Sequence, residues 1–396
     1  MSKIRVAIVT PGTFAIPSEK SSSVELAVMQ TAKQMAGEAE LTVFGKKTVR
    51  QPSRETRGGI RFIRPPRRNY IRNISRILKK LKPDIIQVEN RPRFARFLKK
   101  RFPDTHVALS LHSTTFISKP KITPQALASC LQHADSIIVN SHFLKTHIAN
   151  AVPETESKIV VNHLGADPER FIPKWEADQS KRLAKLRKLG LEGKKIILYV
   201  GRLIPIKGVH HLLRAMPAIA AIEPNAVLLI IGSAFYGSKR KTPYVKRLRR
   251  MAAPIKRHVR FIPYVGHASI PSWFQLADAV VVPSPEREAF GLVNVEAMAT
   301  GLPVVAAGAG GITEIIEHGQ SGLLANPERL EEEIVAYVTH VLNDSEFARK
   351  LGEQAVRRVR DHFTWKKTAE RLLEHYRNME KAGDREADRP EEQQAT

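Results

Sequence analysis

Short, almost wholly apolar runs alternate with stretches of helical period twice along this chain, and this alternation constrains the fold more than any other feature. The first series has apolar runs at residues 6–9, 41–44, 84–88, 107–111 and 136–139, with helices predicted near 24–35 and 70–81. The second series has runs at 196–200, 227–231, 259–262, 279–282 and 304–306. Strands buried on both faces of a parallel sheet have this continuous apolar pattern, and helices cover those faces. The alternation therefore predicts two doubly wound α/β domains.

A polar segment without a strand pattern, residues 171–195, separates the two series. We place the inter-domain connection there, which gives a first domain of residues 1–175 and a second of residues 176–362. Helices are predicted at 327–342, 346–360 and 365–379, and the last of them forms a separate C-terminal helix within residues 363–380. Residues 381–396 contain no large apolar side chain and are predicted to be disordered.

The formal net charge of +25 is unevenly distributed. Residues 61–101 hold fifteen Lys or Arg against two acids, and residues 239–260 hold ten with no acid. Such patches attract anionic membranes, acidic polymers or nucleic acid, and a solvated basic face is the plain alternative. The helix at 70–81 has a basic side and an apolar side, which fits either a membrane surface or a domain core. No zinc-finger or RNA-binding signature is present, so no nucleic-acid partner is expected.

No apolar stretch approaches the roughly 18 residues of a membrane span. The apolar run at residues 6–9 is too short for a signal peptide and reads as a first buried strand. The single cysteine, Cys130, cannot form an internal disulfide, which fits a reducing compartment. We therefore expect a cytoplasmic protein, with the basic patches allowing peripheral contact at the inner membrane face.

The loops at the carboxyl ends of the predicted strands carry candidate binding residues, because open α/β sheets bind ligands there. Residues 201–208, Gly-Arg-Leu-Ile-Pro-Ile-Lys-Gly, follow the run at 196–200. Gly201 permits close approach of the backbone to a ligand, and Arg202 and Lys207 can neutralise a diphosphate. Alone, this motif is weak, since an Arg and a Lys in a surface loop are usually solvated.

A sharper motif is the segment 283–303, which runs from a strand through a turn into a largely apolar helix ended by Gly301. Seven residues separate Glu288 and Glu296, and at helical spacing they would lie on one side, about two turns apart. Carboxylates are good acceptors for the paired hydroxyls of a sugar or ribose. Two surface glutamates are the plain alternative, but an unpartnered Glu296 in an apolar helix would be costly. Glu286 competes with Glu288 but misses the spacing by two positions.

Together these motifs resemble those of the family-four retaining glycosyltransferases, and the resemblance covers residues 3 to about 379. It rests on the 201–208 loop, the Glu288 and Glu296 pair, Gly310-Gly311 with Glu314, and Phe363-Thr364-Trp365. It implies the GT-B fold, with two Rossmann-like doubly wound domains facing across a cleft and a C-terminal helix crossing back to the first domain. The segments 10–25 and 232–237 are similar to those of the spore-coat-associated bacterial members.

The resemblance implies a role for each matching residue. Arg202 and Lys207 would neutralise the donor diphosphate, and Glu296 would bind the ribose. Glu288, together with backbone amides, would hold the transferred sugar. His112 would face that sugar, although a lone histidine at a strand end is by itself more often structural. The remaining donor-binding positions are Gly12, Gly201, Gly232, Tyr264, Val265, Phe290, Gly291 and Leu292.

The implied activity is retaining transfer of a hexose or N-acetylhexosamine from a nucleoside diphosphate sugar, with UDP-sugar preferred. The acceptor would be a glycan, a lipid-linked sugar or a protein of the cell envelope or spore coat, which makes the spore coat a second expected location. The sequence contains no Asp-x-Asp triplet, so neither a metal nor another cofactor is expected.

Serines stand at residues 21–23, where the family often has paired glycines. This departure leaves an alternative open: a coat or envelope structural protein that keeps the fold but has little or no activity. A nucleotide-sugar epimerase on the same architecture has no specific motif support.

Overall fold

The computed structural model describes residues 3–18, 22–235 and 240–387. Within these residues the chain forms two α/β units, each built on its own sheet. The elements of the first unit are, in order, β1 (Ile4–Val9), α1 (Ser23–Met35), β2 (Ala39–Phe44), β3 (Arg54–Arg57), β4 (Ile60–Ile63), α2 (Tyr70–Leu81), β5 (Ile85–Glu89), α3 (Pro92–Arg101), β6 (His106–Leu111), α4 (Pro124–Gln132), β7 (Ser136–Val139), α5 (His142–Ala151) and β8 (Ile159–Val161).

In the described chain these strands make an eight-stranded sheet in the order β3-β4-β2-β1-β5-β6-β7-β8. The pairs are parallel except for β3 with β4, which are antiparallel at one edge. Val6 of β1 is in register with Leu41 on one side and with Ile85 on the other. The central strands are buried on both faces, which explains their continuous apolar sequences.

The second unit contains α6 (Gln179–Leu189), β9 (Lys195–Val200), α7 (Val209–Ile222), β10 (Ala226–Ile231), α8 (Pro243–Ala252), β11 (Val259–Ile262), α9 (Pro271–Phe274), β12 (Ala279–Val282), α10 (Leu292–Ala299), β13 (Val304–Ala307), α11 (Ile312–Ile315), β14 (Leu323–Ala325), α12 (Leu330–Asn343) and α13 (Ser345–His362). Its described strands form a six-stranded parallel sheet in the order β11-β10-β9-β12-β13-β14. The strand order reverses at β9 and β12, so the loops after these two strands border the crevice where such sheets bind ligands.

The last helix, α14 (Trp365–Ala387), returns to the first unit and packs against α1. Leu372, Leu373 and Tyr376 lie in the same core cluster as Val28 and Met35 of α1. The chain passes from the first unit to the second after β8 and returns to the first after α13. These two connections are adjacent, because the amide of Ala166 donates to the carbonyl of Phe363 at 2.8 Å. The predicted GT-B arrangement, including the returning C-terminal helix, is thus confirmed.

The amphipathic helix α2 faces the core of its own domain. Ile74 and Leu78 are fully buried, while Arg76, Lys79 and Lys80 are exposed. Its apolar side is therefore occupied by packing and is not available to a membrane. Among the helices in the described ranges, none combines the length and the apolar character needed to cross a bilayer.

The structure differs from the sequence-based expectation at short elements and at the C-terminus. Strands β3, β4, β8 and β14 were not predicted: β3 is entirely polar, β4 has an arginine within its four residues, and β8 and β14 have only three residues each. Helix α14 continues to Ala387, past residue 381 where the tail was predicted to begin. A helix already held by its packed first half propagates at little cost, because nucleation is the costly step. Residues 388–396 of the predicted tail lie outside the described residues.

Candidate functional site

The loop after β9 brings the predicted phosphate-binding residues to the carboxyl edge of the second sheet. Gly201 follows β9 directly, and its amide donates to the carbonyl of Ile231 at 3.1 Å. Arg202 is half-buried, and its carbonyl accepts a hydrogen bond from the Tyr199 hydroxyl at 2.9 Å. A short turn, Pro205–Lys207, then places Lys207 immediately before the start of α7. Both cations therefore lie beside the crevice.

Lys207 and Glu288 contact each other directly. The Lys207 Nζ forms an ion pair with the Glu288 Oε2, and the two side chains are 24% and 14% exposed. Their loops are in close contact, because a Cβ on Gly208 would lie only 1.6 Å from the carbonyl oxygen of Pro283. The structure thus joins the two motifs that the sequence presented separately.

The helical spacing argument for Glu288 and Glu296 is wrong, although both residues lie in the same crevice region. Helix α10 begins at Leu292, so Glu288 lies in the preceding loop and only Glu296 is helical. A neighbouring glycine loop fixes the backbone at Glu288, whose carbonyl accepts from the amide of Gly311 at 2.9 Å. Glu286, the competing carboxylate, is exposed at the surface of the same loop.

Glu296 is paired with a histidine that the sequence motifs did not reveal. The Glu296 Oε1 lies 2.6 Å from the His267 Nε2, and Glu296 is only 5% exposed. His267 lies in the turn after β11, where Arg170 contacts its Nδ1 at 3.0 Å and the Phe171 ring packs against it. The expected cost of a buried glutamate is thus offset by a polar partner. No sequence motif connects His267 with Glu296, so their contact could be recognised only in the folded structure.

The predicted base-binding and glycine positions lie in the adjoining loops. Gly232 follows β10, and its amide donates to the carbonyl of Ile262 at 3.2 Å. Tyr264 and Val265 follow β11 and are half-buried, and Val265 packs against the core below the crevice. These positions and Gly201 share the edge that holds Lys207.

The segment Phe290 to Leu292 forms the amino end of α10. Phe290 is 2% exposed, and its ring stacks on His163 with centroids 5.9 Å apart. Gly291 caps the helix with a φ of 92°, and Leu292 is its first residue. The first amides of a helix have no partner within the helix, so this end can donate to ligand oxygens.

His112 lies at the carboxyl edge of the first sheet, just after β6. Its Nε2 is 2.7 Å from the Glu89 Oε2 and 3.2 Å from the Ser110 hydroxyl. Its amide donates to the Asn90 Oδ1 at 2.9 Å. Glu89 is 1% exposed and ends β5, where an apolar run gave no reason to expect a functional carboxylate. His112 thus contacts Glu89, Ser110 and Asn90, which all belong to the first domain.

Gly12 and its neighbours form the first-domain side of the crevice. Gly12 has a φ of 69° and lies against the ring of Tyr70, whose hydroxyl donates to the Thr10 carbonyl at 3.3 Å. Ser22 caps α1, accepting from the amide of Val24 at 3.3 Å and contacting the Glu25 carboxylate. Ser22, one of the three serines at the position of the family's paired glycines, is thus the N-cap of α1, while Ser21 lies outside the described residues. Burial raises the pKa of Glu25 above its ordinary value, against the effect of its Ser22 hydrogen bonds.

Glu314 joins the two domains. Its carboxylate accepts from the amides of His142 and Phe143, both at 2.8 Å, and lies 2.9 Å from the His163 Nε2. Burial opposes ionisation of Glu314, but hydrogen bonds from His163, Phe143 and His142 outweigh it and lower its pKa below the ordinary value. His142, His163 and Glu314 also have the donor atoms and proximity of a possible metal site. The sequence gave no sign of this cluster, because its members come from three distant segments.

Comparisons with known proteins agree with this architecture. The model described as Glycosyltransferase Family 4 matches residues 24–170, and the model described as Glycosyl transferases group 1 matches residues 181–358. Spore coat protein SA of Bacillus subtilis is 31% identical over 374 residues, which cover 94% of this chain and 99% of that protein.

Two solved structures illustrate the shared fold. Sucrose-phosphate synthase from Thermosynechococcus elongatus has a TM-score of 0.78 at 22% identity, covering 96% of this chain and all of that one. HepE from Anabaena, in complex with UDP-glucose, has a TM-score of 0.76 at 21% identity, covering 95% of this chain and all of that one. Both structures share the overall two-domain fold of this chain.

Proposed function

The chain belongs to the family-four glycosyltransferases of the spore-coat-associated type, and we propose that it transfers a sugar from UDP-sugar to an envelope or spore-coat acceptor with retention of configuration. The transferase activity follows from the family. The nucleotide, the stereochemistry and the acceptor class are the proposed part. The contact between Lys207 and Glu288 at the mouth of the crevice is the observation that carries the proposal.

Lys207 and Glu288 have complementary roles in this mechanism. The Lys207 ammonium and the Arg202 guanidinium would stabilise the charge that develops on the diphosphate as the bond between the sugar C1 and the diphosphate oxygen breaks. Glu288 would accept hydrogen bonds from sugar hydroxyls and hold C1 beside the departing oxygen. Their ion pair keeps both groups ordered before the donor arrives.

In a single displacement, which needs no covalent intermediate on a carboxylate, retention means that the acceptor hydroxyl attacks C1 from the face that the diphosphate leaves. The new bond joins the acceptor oxygen to C1, and the hydroxyl proton passes to the leaving diphosphate oxygen on that same face. The cations at Arg202 and Lys207, with the amino end of α10, supply positive potential at this point, so the mechanism is proposed without a metal.

Glu296 would bind the ribose hydroxyls through its carboxylate, held in place by His267. The turn that contains His267 follows Tyr264 and Val265, so ribose and base recognition would occupy neighbouring positions on one loop. The bound UDP-glucose in the HepE structure supports a uridine donor for a chain of this fold.

A panel of nucleoside diphosphate sugars tests the proposal directly. Thermal shift and calorimetry should show tighter binding of UDP than of GDP or ADP, and anomeric analysis of the product by NMR should show retention. Magnesium chelation should leave turnover within twofold of its starting value. Inactivity with all donors and acceptors would favour the structural coat protein alternative, against which the intact Lys207 and Glu288 pair argues.

A further inference from the structure

The loops at the carboxyl edge of the first sheet are strongly cationic. Residues 45–53, 64–69, 90–91 and 112–123, which follow β2, β4, β5 and β6, hold nine Lys or Arg and no Asp or Glu. The loop after β1, part of which lies outside the described residues, adds one Glu and one Lys. This edge faces the second domain across the cleft, so its charge bears on what enters there.

One of these nine cations has a structural role. Arg64 is fully buried, pairs with Glu55 and donates to the Ile16 carbonyl. The other eight are exposed or half-buried, and the structure records no ion pair between them and a described carboxylate; they are Lys46, Lys47, Arg50, Arg67, Arg68, Arg91, Lys119 and Lys121.

At the opposite edge of the same sheet, three cations have acid partners. Arg5 pairs with Asp84, Lys99 with Asp135, and Arg377 with Glu38. These acids directly precede β5, β7 and β2, which places the pairs at the amino edge. Exposed cations without an ion pair to a described carboxylate also lie on α2 and α3, among them Arg76, Lys80 and Arg101, but the four cleft-side loops differ from the amino edge in containing no acid at all.

Arg91, one of the eight cations, is held by contacts on several sides. Its guanidinium lies 4.1 Å from the Phe116 ring centroid, and it donates to the Asn90 carbonyl at 2.8 Å and to the Thr13 hydroxyl at 3.4 Å. Burial lowers the pKa of Arg91, with the charge of Glu25 acting in the opposite direction. A fixed, half-buried guanidinium without a carboxylate partner is well placed to bind an incoming anion.

The geometry of the edge suits an extended anion. The four loops follow strands that span the order β4-β2-β1-β5-β6, and four steps of about 4.8 Å make a row of about 19 Å. Glu314 contacts the amino end of α5, which follows β7, so this contact between the domains lies at the end of the sheet away from β4. A cleft between two domains admits a single chain, whereas a flat bilayer would require the cations on an outer face.

We propose that the acceptor is a polyanionic chain, a glycan or polyol polymer bearing repeated phosphates or carboxylates, that lies along this row of cations. The identification of the occupant as the acceptor rests on the proposed glycosyltransferase function. The chain would enter from the β4 side, with its charges at Arg67, Arg68 and Arg91 and a terminal hydroxyl directed to the sugar held by Glu288.

Binding experiments test this without relying on turnover. Fluorescein-labelled poly(glycerol phosphate), polygalacturonate and neutral dextran are titrated into the full chain saturated with UDP, with anisotropy read at 50 and 200 mM salt. The first two probes distinguish phosphate from carboxylate as the anion. At least one of them should bind at least tenfold more tightly than dextran and weaken with salt.

Paired charge reversals localise the binding. The Arg67→Glu, Arg68→Glu double variant should bind the polyanion at least tenfold more weakly, with UDP affinity unchanged. The control is Arg76→Glu, Lys80→Glu, which makes the same change of charge on the exposed side of α2 and should alter binding less than twofold. A Lys119→Glu, Lys121→Glu variant should reproduce the first loss from the other end of the row.

Four outcomes would overturn the proposal. These are dextran binding as tightly as both polyanions, equal losses in the test and control variants, tighter binding to phosphatidylglycerol vesicles than to either polymer, and equally tight binding of a DNA oligonucleotide of matched charge. Absence of UDP binding alongside intact polyanion binding would instead count against the proposed donor chemistry, so the two failures are distinguishable.

Discussion

Glu296 and His267 form a 2.6 Å contact that connects helix α10 to the turn after β11. The pair explains how a carboxylate is tolerated in an apolar helix whose neighbours Val295 and Ala297 are fully buried. It also fixes the direction of the carboxylate, because Arg170 contacts the other ring nitrogen of His267 at 3.0 Å. A nucleotide entering the crevice would therefore meet an oriented acceptor group.

The first prediction is that His267→Ala weakens donor binding through Glu296. The variant leaves Glu296 buried without its partner, so we expect the UDP dissociation constant to rise about tenfold, equivalent to about 1.4 kcal/mol. The KM for the donor should rise more than kcat falls, because the reacting centre is untouched. Calorimetry with UDP and steady-state kinetics provide the measurement. His340→Ala, an exposed histidine of α12, is the control and should leave both values unchanged.

The second prediction concerns Lys207 and Glu288. Lys207→Ala removes a cation from the leaving diphosphate and leaves Glu288 without its ion-pair partner, so kcat/KM should fall at least 100-fold, about 2.7 kcal/mol of transition-state stabilisation. Glu288→Gln should reduce kcat with a much smaller effect on UDP affinity. Lys256→Ala, an exposed lysine of the same domain, should behave as wild type. Equal losses of UDP affinity in the Lys207 and Glu288 variants would contradict the separate roles.

The fold could be predicted well from the sequence because its strands are buried on both faces. Runs such as Ile196 to Val200 and Val227 to Ile231 have one physical explanation in a chain of this length, a parallel sheet covered by helices. This reasoning does not apply to edge strands. The edge strand β3 is largely exposed to solvent, so its sequence needs no apolar residues. The three-residue strands β8 and β14 are too short to show any period.

The sequence predicted which loops form the candidate site, but it did not predict the contacts between them. Lys207 and Glu288 were identifiable as members of motifs, but the contact between them depends on the close approach of Gly208 to Pro283. His267, Glu89 and the Glu314 contacts were missed because each depends on pairing between distant segments. Conversely, the spacing of Glu288 and Glu296 suggested that both lie on one helix, but α10 begins at Leu292 and Glu288 lies in the loop before it.

The third prediction is a pH-dependent contribution of Glu314 to stability. The folded-state pKa of Glu314 lies below its ordinary value of 4.5, so the ionised carboxylate stabilises the fold above about pH 4.5, and this contribution is lost as the pH falls through the folded-state pKa. Glu314→Gln should therefore cost about 1–2 kcal/mol at pH 7, and the difference from wild type should shrink below pH 4.5.

Thermal unfolding of both proteins from pH 3.5 to 7 measures this difference. The groups that contact Glu314 are His142, Phe143 and His163, and Arg358 donates to its carbonyl at 3.0 Å. Glu374→Gln, at an exposed position of α14, controls for a general loss of negative charge. A difference between wild type and Glu314→Gln that stays constant across the range would contradict an ionised Glu314 as the stabilising group.

The last prediction uses two glycines with nearly the same positive φ. Gly208 and Gly193 have φ values of 68° and 69°, but a Cβ on Gly208 would lie 1.6 Å from the Pro283 carbonyl oxygen, while a Cβ on Gly193 would meet nothing within 4 Å. Gly193→Ala should cost only the strain of a left-handed alanine, about 1–2 kcal/mol. Gly208→Ala adds a clash with backbone atoms, which must move, so it should lower the melting temperature further.

Turnover of the Gly208→Ala variant distinguishes the effect of the clash with Pro283 from the effect of left-handed strain alone. Moving the 201–208 loop away from Pro283 also moves Lys207 away from Glu288, so donor turnover should fall at least tenfold, whereas Gly193→Ala should retain wild-type turnover at a temperature where both variants are folded. Melting curves and turnover measured on the same preparations provide the comparison. If Gly208→Ala keeps full activity, the close approach of the two loops is not what positions the Lys207 and Glu288 pair.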